Sequence, residues 1–272
     1  MNKIIFLDID GTIRDFDGYI PPSAIEAVRT ARENGHKVCI SSGRPICQIE
    51  PRVMDIGFDG IVSGSGSYVE YQGKCVSHRR FTMLTYLNLC EYLFKRGCIM
   101  ELQTYRESYI PERCKAEYEA LNEHLAKHLG EGGTRGIPMP TVIASMMDVR
   151  DTEKILYFGS EEANRALLER WGTSLHIVTF GIPGTGRWGG EITPLSINKG
   201  EGMKSILRAG GFNLEDVIAV GDSGNDREML ELAAVGVAMG NGTDEIKRLA
   251  DMATASLRED GLSKAFCRLK LI

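Results

Sequence analysis

The chain has 272 residues, of which 43% are hydrophobic and 25% are charged, and its formal net charge is -5. These values are typical of a globular protein with one large or two ordinary domains. The negative charge gives no electrostatic basis for binding nucleic acid or an anionic membrane surface. The sequence has no bilayer-length apolar stretch, and its beginning does not resemble a signal peptide. We therefore expect a cytoplasmic protein with no nucleic acid and no membrane partner.

The cysteines carry little functional signal. There are seven, an odd number, and no two of them form a C-x-x-C pair. This pattern argues against a disulfide framework and against a structural zinc site. We expect reduced thiols, which agrees with a cytoplasmic location.

The first predicted strand ends in two acids. Residues 3–10 read K-I-I-F-L-D-I-D, a nearly unbroken apolar run that is typical of a strand buried on both faces of a parallel sheet. Strand geometry puts the side chains of Asp8 and Asp10 on the same side of the backbone. Gly11 then permits a sharp turn. Ligands bind at the carboxyl ends of strands in open α/β sheets, so these two acids are candidate functional residues.

The next elements predict a parallel sheet. A short flap or hairpin at 14–22 precedes a helix at 24–34, for which Ser23 is a plausible N-cap. The pattern then predicts a strand at 37–40, a helix that ends near residue 54, and a strand at 60–63. This β-α-β-α-β order is the signature of parallel strands with right-handed crossovers.

The middle third has a different order of elements, and the earlier alternation of strands and helices returns near residue 190. Its pattern is α+β, with these predicted elements: a hairpin at 68–71 and 74–78, helices at 82–96, 112–129 and 161–171, strands at 99–105, 154–158 and 175–180, and a loop at 130–140. The last part predicts helices at 199–208, 227–234 and 243–250 and strands at 217–220 and 235–239.

The predicted fold class is therefore α/β, with a doubly wound, Rossmann-like parallel sheet and an inserted α+β cap. We place the catalytic core at residues 1–81 and 190–272, and the cap at residues 82–189.

Polar side chains recur in the loops that follow the core strands. Such loops hold residues 8–12, 42–44 and 221–226, and Lys199 begins a helix. In a parallel sheet these loops share one edge and can converge. Carboxylates from two loops form an oxygen ligand set suited to Mg²⁺, while a hydroxyl, loop N–H groups and a lysine donate to phosphate oxygens. This combination predicts phosphoryl transfer.

Four short motifs in the chain resemble those of a known family. D-I-D-G-T, S-G-R-P, N-K-G and G-D-S-x-N-D, in this order, resemble the four motifs of the haloacid dehalogenase (HAD) superfamily. The insertion after the third strand resembles the Cof-type sugar-phosphatase branch, whose large α/β cap lies at this point. The match covers about residues 1–80 and 190–272 and is only architectural within the cap. One departure is Ser63-Gly64-Ser65, where Cof-type chains usually have Asn-Gly.

The resemblance implies roles for the acids and the lysine. Asp8 matches the nucleophile that forms an aspartyl-phosphate, and Asp10 matches the general acid/base. Asp8, the backbone carbonyl of Asp10 and Asp222 would hold Mg²⁺. Asp226 would be an outer ligand or a support, and could also be only an N-cap for the next helix. Lys199 would neutralise charge and orient Asp8.

The resemblance also implies a phosphate site and a reaction. Ser42, together with the Gly43 N–H, would bind the phosphoryl group, and Asn225 would hydrogen-bond a phosphate oxygen. Dehalogenases lack the second acid, and ATPase-type members carry Thr at the position of Asp10. The presence of Asp10 therefore favours hydrolysis of small phosphate monoesters, and the Cof-type branch favours sugar phosphates.

Several alternatives stay open at this point. Arg44 could pack and pair structurally or could contact substrate. Residues 184–189 spell G-x-G-x-x-G but lack the following helix that a dinucleotide site needs, so we interpret them as a cap turn. Cap residues that could contact substrate are Glu101, Gln103, Tyr105, Arg106 and Arg187.

Two competing functions remain beside the phosphatase. One is a phosphomutase of the same fold, which returns the phosphoryl group to its substrate. The other is a catalytically silent regulator that only binds a phosphorylated ligand. The sequence indicates neither the identity of the phosphorylated metabolite nor the oligomeric state.

Overall fold

A computed structural model describes residues 2–129, 139–182 and 184–272 of the chain. The chain divides into two compact units, which we call the core and the cap. The core comprises Met1–Arg44, Ile49–His78 and Asn198–Ile272, and the cap comprises Pro45–Gln48 and Arg79–Ile197. The division thus lies at 78/79 and 197/198, while the sequence boundaries lie at 81/82 and 189/190. The short segment Pro45–Gln48 joins the cap although sequence neighbours on both sides belong to the core.

Strands and helices alternate through most of the described residues. The strands, in chain order, are β1 Ile4–Leu7, β2 Lys37–Ser41, β3 Gly60–Ser63, β4 Tyr68–Tyr71, β5 Lys74–His78, β6 Ile99–Gln103, β7 Ser108–Pro111, β8 Thr141–Ile143, β9 Lys154–Gly159, β10 Leu175–Ile182, β11 Arg187–Pro194, β12 Val217–Gly221, β13 Val235–Ala238 and β14 Met252–Ala253. The α-helices are α1 Pro22–Glu33, α2 Pro51–Met54, α3 Met83–Lys95, α4 Lys115–Leu129, α5 Glu161–Trp171, α6 Lys199–Gly210, α7 Arg227–Leu232, α8 Asp244–Leu249 and α9 Gly261–Arg268.

The core sheet positions the site. Among the described residues it has eight strands in the order β14-β13-β12-β1-β2-β3-β4-β5, and the strands from β14 to β3 are parallel. All residues of β1 are buried, as expected for a central parallel strand. Leu7 pairs with Ile40 on one side and with Val220 on the other, so the carboxyl ends of β1, β2 and β12 are level. The predicted Rossmann-like α/β fold is thereby confirmed.

Helix α6 packs closely on the core sheet. Its buried Met203 and Ile206 join Phe6 of β1 in one hydrophobic cluster. Gly202 allows this approach, since a Cβ atom there would lie 2.3 Å from a Val62 side-chain carbon. The packing fixes the start of α6, where Lys199 lies, against the carboxyl edge of the sheet.

The cap has its own sheet and its own hydrophobic core. Among the described residues its sheet has six strands in the order β10-β11-β9-β6-β7-β8. All neighbours are antiparallel except β7 and β8. Helices α3 and α5 cover it through buried side chains that include Leu89, Leu93 and Leu167. This α+β unit agrees with the inserted cap that the sequence predicted.

Three cap strands were missing from the prediction. They are β7, β8 and β11. The sequence interpretation places a turn at residues 184–189, but the turn covers only residues 184–186, and β11 begins at Arg187. β11 contains Gly189 and Gly190, which weaken a strand pattern, yet it pairs along its length with β10 and also with β9. The neighbouring strands therefore decide its conformation. The predicted loop at 130–140 falls mostly outside the described residues.

The helix start near residue 23 differs from the prediction. Helix α1 begins at Pro22, with Pro21 in the N-cap position and without a side-chain cap bond. Proline suits a first helical position because its φ is already helical and its missing N–H would have no partner there. Ser23 is therefore not the N-cap. Its hydroxyl donates instead to Asp260 Oδ1 at 2.5 Å.

Two broader expectations can be compared with the described residues. All seven cysteines are free thiols, as predicted. No helix in the described ranges is both long and apolar enough to cross a bilayer.

Candidate active site

The two acids of the first loop lie at the carboxyl end of β1. Asp8 is 4% exposed, and its N–H donates to the Val220 carbonyl at 3.0 Å. Gly11 has φ +89°, and a Cβ atom there would lie 2.4 Å from an Asp222 carboxylate oxygen. Glycine is therefore required at this turn for its backbone conformation and for the close approach of Asp222.

Lys199 lies at the centre of the charged groups. It is fully buried, and its Nζ donates to Asp8 Oδ1 at 2.5 Å, to Asp226 Oδ1 at 2.6 Å and to Asn225 Oδ1 at 3.0 Å. Burial acts to lower the pKa of Lys199, but the carboxylates of Asp226 and Asp8 outweigh it and raise that pKa above its ordinary value. The helix begins here because the Asn198 side chain caps it, accepting from the Glu201 N–H at 2.8 Å.

Asp226 holds the loop that follows β12. Its Oδ1 accepts from Lys199, and its Oδ2 accepts from the N–H groups of Asp222 at 2.9 Å and Ser223 at 3.0 Å. Ser223 and Asp226 form a capping box around the turn Gly224–Asp226. Asp226 occupies the N-cap position of α7, but its side chain makes no cap bond there, so Asp226 is more than an N-cap. These hydrogen bonds occupy both of its oxygens.

Asp222 has an unsatisfied acceptor that lies within the charged group. Its Oδ1 is buried and has no hydrogen-bond donor among the described residues. Oxygens of Asp8, Asp222 and Asp226 all lie within 4.8 Å of one another. Burial, with the charge of Asp226, raises the pKa of Asp222 to about 7. Three carboxylates around one ammonium leave excess negative charge, and this all-oxygen set fits a hard divalent cation such as Mg²⁺.

Asp10 is held by two arginines. Its Oδ1 accepts from Arg14 at 2.9 Å and from Arg44 Nη2 at 2.8 Å, while its Oδ2 accepts from Arg44 Nε at 2.6 Å. Arg14 is 1% exposed and also pairs with Glu50 at 2.9 Å. Of the two interpretations of Arg44, this geometry favours structural pairing. Sequence reasoning missed Arg14 and Glu50, for which the only signal was the spacing of four residues from Asp10 to Arg14.

The predicted phosphate-binding groups lie beside this cluster. The Ser42 side chain accepts from the Arg44 N–H at 3.1 Å, which leaves its own hydroxyl proton available for donation. The Ser42 N–H donates to the Val62 carbonyl at 2.8 Å. A Cβ atom at Gly43 would lie 3.3 Å from Asn225 Nδ2. The loops after β2 and β12 therefore meet at Gly43 and Asn225.

The cap candidates separate into two groups. Glu101 and Gln103 are 5% and 2% exposed, and Gln103 Nε2 donates to Glu101 Oε1 at 2.9 Å. These two residues belong to a buried hydrogen-bond network within the cap. Arg187 is exposed and pairs loosely with Glu117 at 3.6 Å, and Arg106 bonds the Tyr105 hydroxyl. Arg106 and Arg187 are thus exposed, and Tyr105 is half-buried.

Comparison with known proteins identifies the family. The haloacid dehalogenase-like hydrolase family matches residues 5–266. The chain is 28% identical over 280 residues to the 5-amino-6-(5-phospho-D-ribitylamino)uracil phosphatase YitU of Bacillus subtilis, covering 96% of this chain and 95% of YitU. It is 25% identical over 275 residues to the pyridoxal phosphate phosphatase YbhA of Escherichia coli, covering 96% of each chain.

A solved structure gives the same result. The subclass IIB sugar phosphatase BT4131 superimposes with a TM-score of 0.82 at 26% identity, over the full length of both chains. These similarities confirm the predicted HAD superfamily, its Cof-type branch with an inserted cap, and the class of phosphoric monoester hydrolases. The family match spans nearly the whole chain, including all four motifs whose side chains meet at the carboxyl edge of the core sheet. The chain therefore belongs to the haloacid dehalogenase-like hydrolases.

Proposed function

We infer that this protein is a Mg²⁺-dependent phosphatase of small phosphorylated metabolites, most of all sugar phosphates, and that it works through an aspartyl-phosphate on Asp8. The observation that carries this inference is the buried group of Asp8, Asp222 and Asp226 around Lys199, in which one Asp222 oxygen has no donor in the described ranges. YitU and YbhA are named for phosphorylated metabolites, and BT4131 is named a sugar phosphatase, which supports the substrate class.

The first half-reaction transfers the phosphoryl group to the enzyme. A carboxylate oxygen of Asp8 attacks phosphorus, and the bond between phosphorus and the ester oxygen breaks. Asp10 donates a proton to that leaving oxygen. Lys199 holds the attacking carboxylate through its 2.5 Å contact and balances charge around it.

The second half-reaction releases phosphate. Asp10, now a carboxylate, takes a proton from a water molecule that attacks phosphorus, and the bond between phosphorus and Asp8 breaks. Asp10 accepts hydrogen bonds from Arg14 and Arg44, which keep its side chain in one orientation between the two steps. Ser42, the Gly43 N–H and the Asn225 amide would bind the phosphoryl oxygens.

The carboxylates of Asp8 and Asp222 and the Asp10 carbonyl would hold Mg²⁺. When bound, the ion neutralises negative charge that develops on the phosphoryl oxygens. Asp226 supports the ligands instead of contacting the ion, because Lys199 and two backbone N–H groups already occupy its oxygens.

The test is hydrolysis of p-nitrophenyl phosphate with Mg²⁺ and after chelation, followed by a screen of phosphorylated metabolites ranked by kcat/KM. Acid-quenched protein should carry one phosphate on the peptide that contains Asp8, detected by mass spectrometry. We further expect Asp10→Asn to slow both half-reactions.

The same experiments separate the alternatives. Phosphate release from a hexose phosphate without a bisphosphate activator excludes the mutase. Binding of inorganic phosphate without any Mg²⁺-dependent turnover would identify a silent regulator and contradict the proposed function.

A further inference from the structure

The turn after β3 reaches the phosphate-binding groups of the core. Its N–H groups bond to the loop after β2: Gly64 N–H donates to the Arg44 carbonyl at 2.7 Å, and Ser65 N–H donates to the Ser42 carbonyl at 2.9 Å. On its other side, Gly66 lies so close to Asn198 that a Cβ atom would be 2.4 Å from the Asn198 carbonyl oxygen. The turn is therefore fixed between the Ser42 loop and the start of α6.

Ser65 has an unfavourable backbone conformation in this turn. Its φ is 59° and its ψ is 23°, which is the left-handed region that glycine and asparagine adopt more readily than serine. The neighbouring glycines, Gly64 and Gly66, also have positive φ. Strained residues of this kind occur at functional sites, because the surrounding structure holds a side chain where it is used.

The Ser65 hydroxyl faces the phosphate-binding loop. A Cβ atom at Gly43 would lie 3.6 Å from Ser65 Oγ and 3.3 Å from Asn225 Nδ2, so both polar atoms lie on the same side of Gly43. Ser65 is half-buried. In the part of the chain that the structure describes, its hydroxyl makes no hydrogen bond. A donor is thus held next to Gly43 without a partner among the described residues.

Asn225 connects this position to the nucleophile. Its Oδ1 accepts from Lys199 at 3.0 Å and from the Ser223 hydroxyl at 3.1 Å, so its NH₂ group is turned the other way, toward Gly43. Lys199 in turn contacts Asp8. Two donors, the Asn225 amide and the Ser65 hydroxyl, therefore lie next to Gly43, and Lys199 links Asn225 to Asp8.

We propose that Ser65 is a further substrate-binding residue, whose hydroxyl donates a hydrogen bond to an oxygen of the phosphoryl group. The assignment deepens the proposed function and rests on it for the identity of the bound group. It also offers a reason why this turn reads Ser63-Gly64-Ser65 where Cof-type chains usually have Asn-Gly, because Ser65 supplies a hydroxyl beside Gly43.

Two substitutions at Ser65 distinguish the effect of losing the hydroxyl from the effect of changing the backbone strain. Ser65→Ala removes the hydroxyl and keeps a Cβ atom in the left-handed conformation. Ser65→Gly also removes the hydroxyl but relieves the backbone strain, so its melting temperature should rise. Ser67→Ala is the matched control, because the Ser67 hydroxyl of the same turn donates within the turn, to the Gly64 carbonyl at 2.8 Å.

Both Ser65 variants should raise KM for p-nitrophenyl phosphate and the inhibition constant of inorganic phosphate by roughly 10- to 100-fold, the loss of one hydrogen bond to a charged group. Ser67→Ala should lower the melting temperature without this change. Unchanged constants in both Ser65 variants, or a change in only one of them, would overturn the assignment.

Calorimetric binding of inorganic phosphate with Mg²⁺ separates this proposal from the proposed function. Wild-type protein that binds phosphate but does not turn over would contradict the phosphatase. Weaker phosphate binding by both Ser65 variants would still support the role of Ser65, and equal binding would refute it.

Discussion

Two buried polar clusters, one in the core and one in the cap, differ in how their carboxylates are hydrogen-bonded. The acid cluster of the core comprises Asp8, Lys199, Asp222 and Asp226, and one of its carboxylate oxygens has no donor among the described residues. The cap cluster comprises Gln48, Glu101, Gln103, Ser108 and Tyr118.

Both carboxylate oxygens of Glu101 have donors in the cap cluster. One accepts from Gln48 at 3.1 Å and from Gln103, and the other accepts from the Tyr118 hydroxyl at 2.5 Å. A buried carboxylate that is fully hydrogen-bonded stabilises a fold. A buried group of acids with an unused oxygen and surplus charge is costly to maintain unless a ligand completes it. The comparison therefore favours the proposed ligand site in the acid cluster and a structural role for the cap cluster.

The largest expected effect is on turnover, from the exchange of one acid in the acid cluster. Asp8→Asn keeps the shape of the side chain and removes the proposed nucleophile, so kcat should fall by about 10³-fold or more while circular dichroism stays that of the folded protein. Steady-state hydrolysis of p-nitrophenyl phosphate measures it. Glu101→Gln is the matched control, a buried acid of the cap whose exchange should leave kcat little changed. Equal losses in the two variants would refute the comparison.

The next effect is on stability, through the buried arginine beside the acid cluster. Arg14→Met removes a buried charge that pairs with Asp10 and Glu50 and leaves Glu50 only the more exposed Arg52, so we expect the free energy of unfolding to fall by about 3 kcal/mol. Urea denaturation measures the change. Arg258→Met removes an exposed arginine that pairs with Asp15 and Asp17, and it should have little effect. If the two variants were equally stable, burial of the arginine would not determine how much its ion pairs contribute to stability.

A third prediction concerns the pH dependence of cap stability. Burial, with the charge of Asp151, raises the pKa of Glu153 from its ordinary 4.5 to about 8. The folded state therefore holds this proton more tightly than the unfolded state. Its contribution to stability is complete below pH 4.5 and is lost as pH rises through 8.

Glu153→Gln stays neutral and should remove this dependence. Relative to the wild type, the variant should gain about 2 to 3 kcal/mol of unfolding free energy between pH 5.5 and pH 8. Tryptophan fluorescence during urea denaturation reports on the cap, because Trp171 and Trp188 both belong to it. Parallel pH profiles for the two proteins would show that Glu153 is ionised in the folded state.

The smallest expected effect is within the cap cluster. Tyr118→Phe removes the donor to one Glu101 oxygen, and the cap should lose about 1 to 2 kcal/mol of unfolding free energy. The value of kcat for p-nitrophenyl phosphate should stay that of the wild type. A fall in kcat without a fall in stability would instead give the cap cluster a part in the chemistry.

Prediction succeeded where short-range pattern and chemistry agree. The apolar run at 3–10 predicted a buried strand with two acids at its end, and β1 lies at the centre of the core sheet. The four motifs identified the family because each keeps its residues close together in the chain. Pattern failed for β11, whose glycines gain a strand conformation only from β10 and β9.

The sequence by itself determined the α/β class, the inserted cap and the family, since apolar periodicity and short motifs are local properties of the chain. Only the tertiary structure decided which polar groups complete one another: that Arg14 and Arg44 hold Asp10, that Glu101 is satisfied inside the cap, and that Ser65 faces Gly43 and Asn225. Several of these partners come from separate segments, since Arg44 lies 34 residues from Asp10 and Gln48 lies 53 residues from Glu101. Burial and hydrogen-bond geometry, which decide their roles, exist only once the strands have aligned the loops at one edge of the sheet.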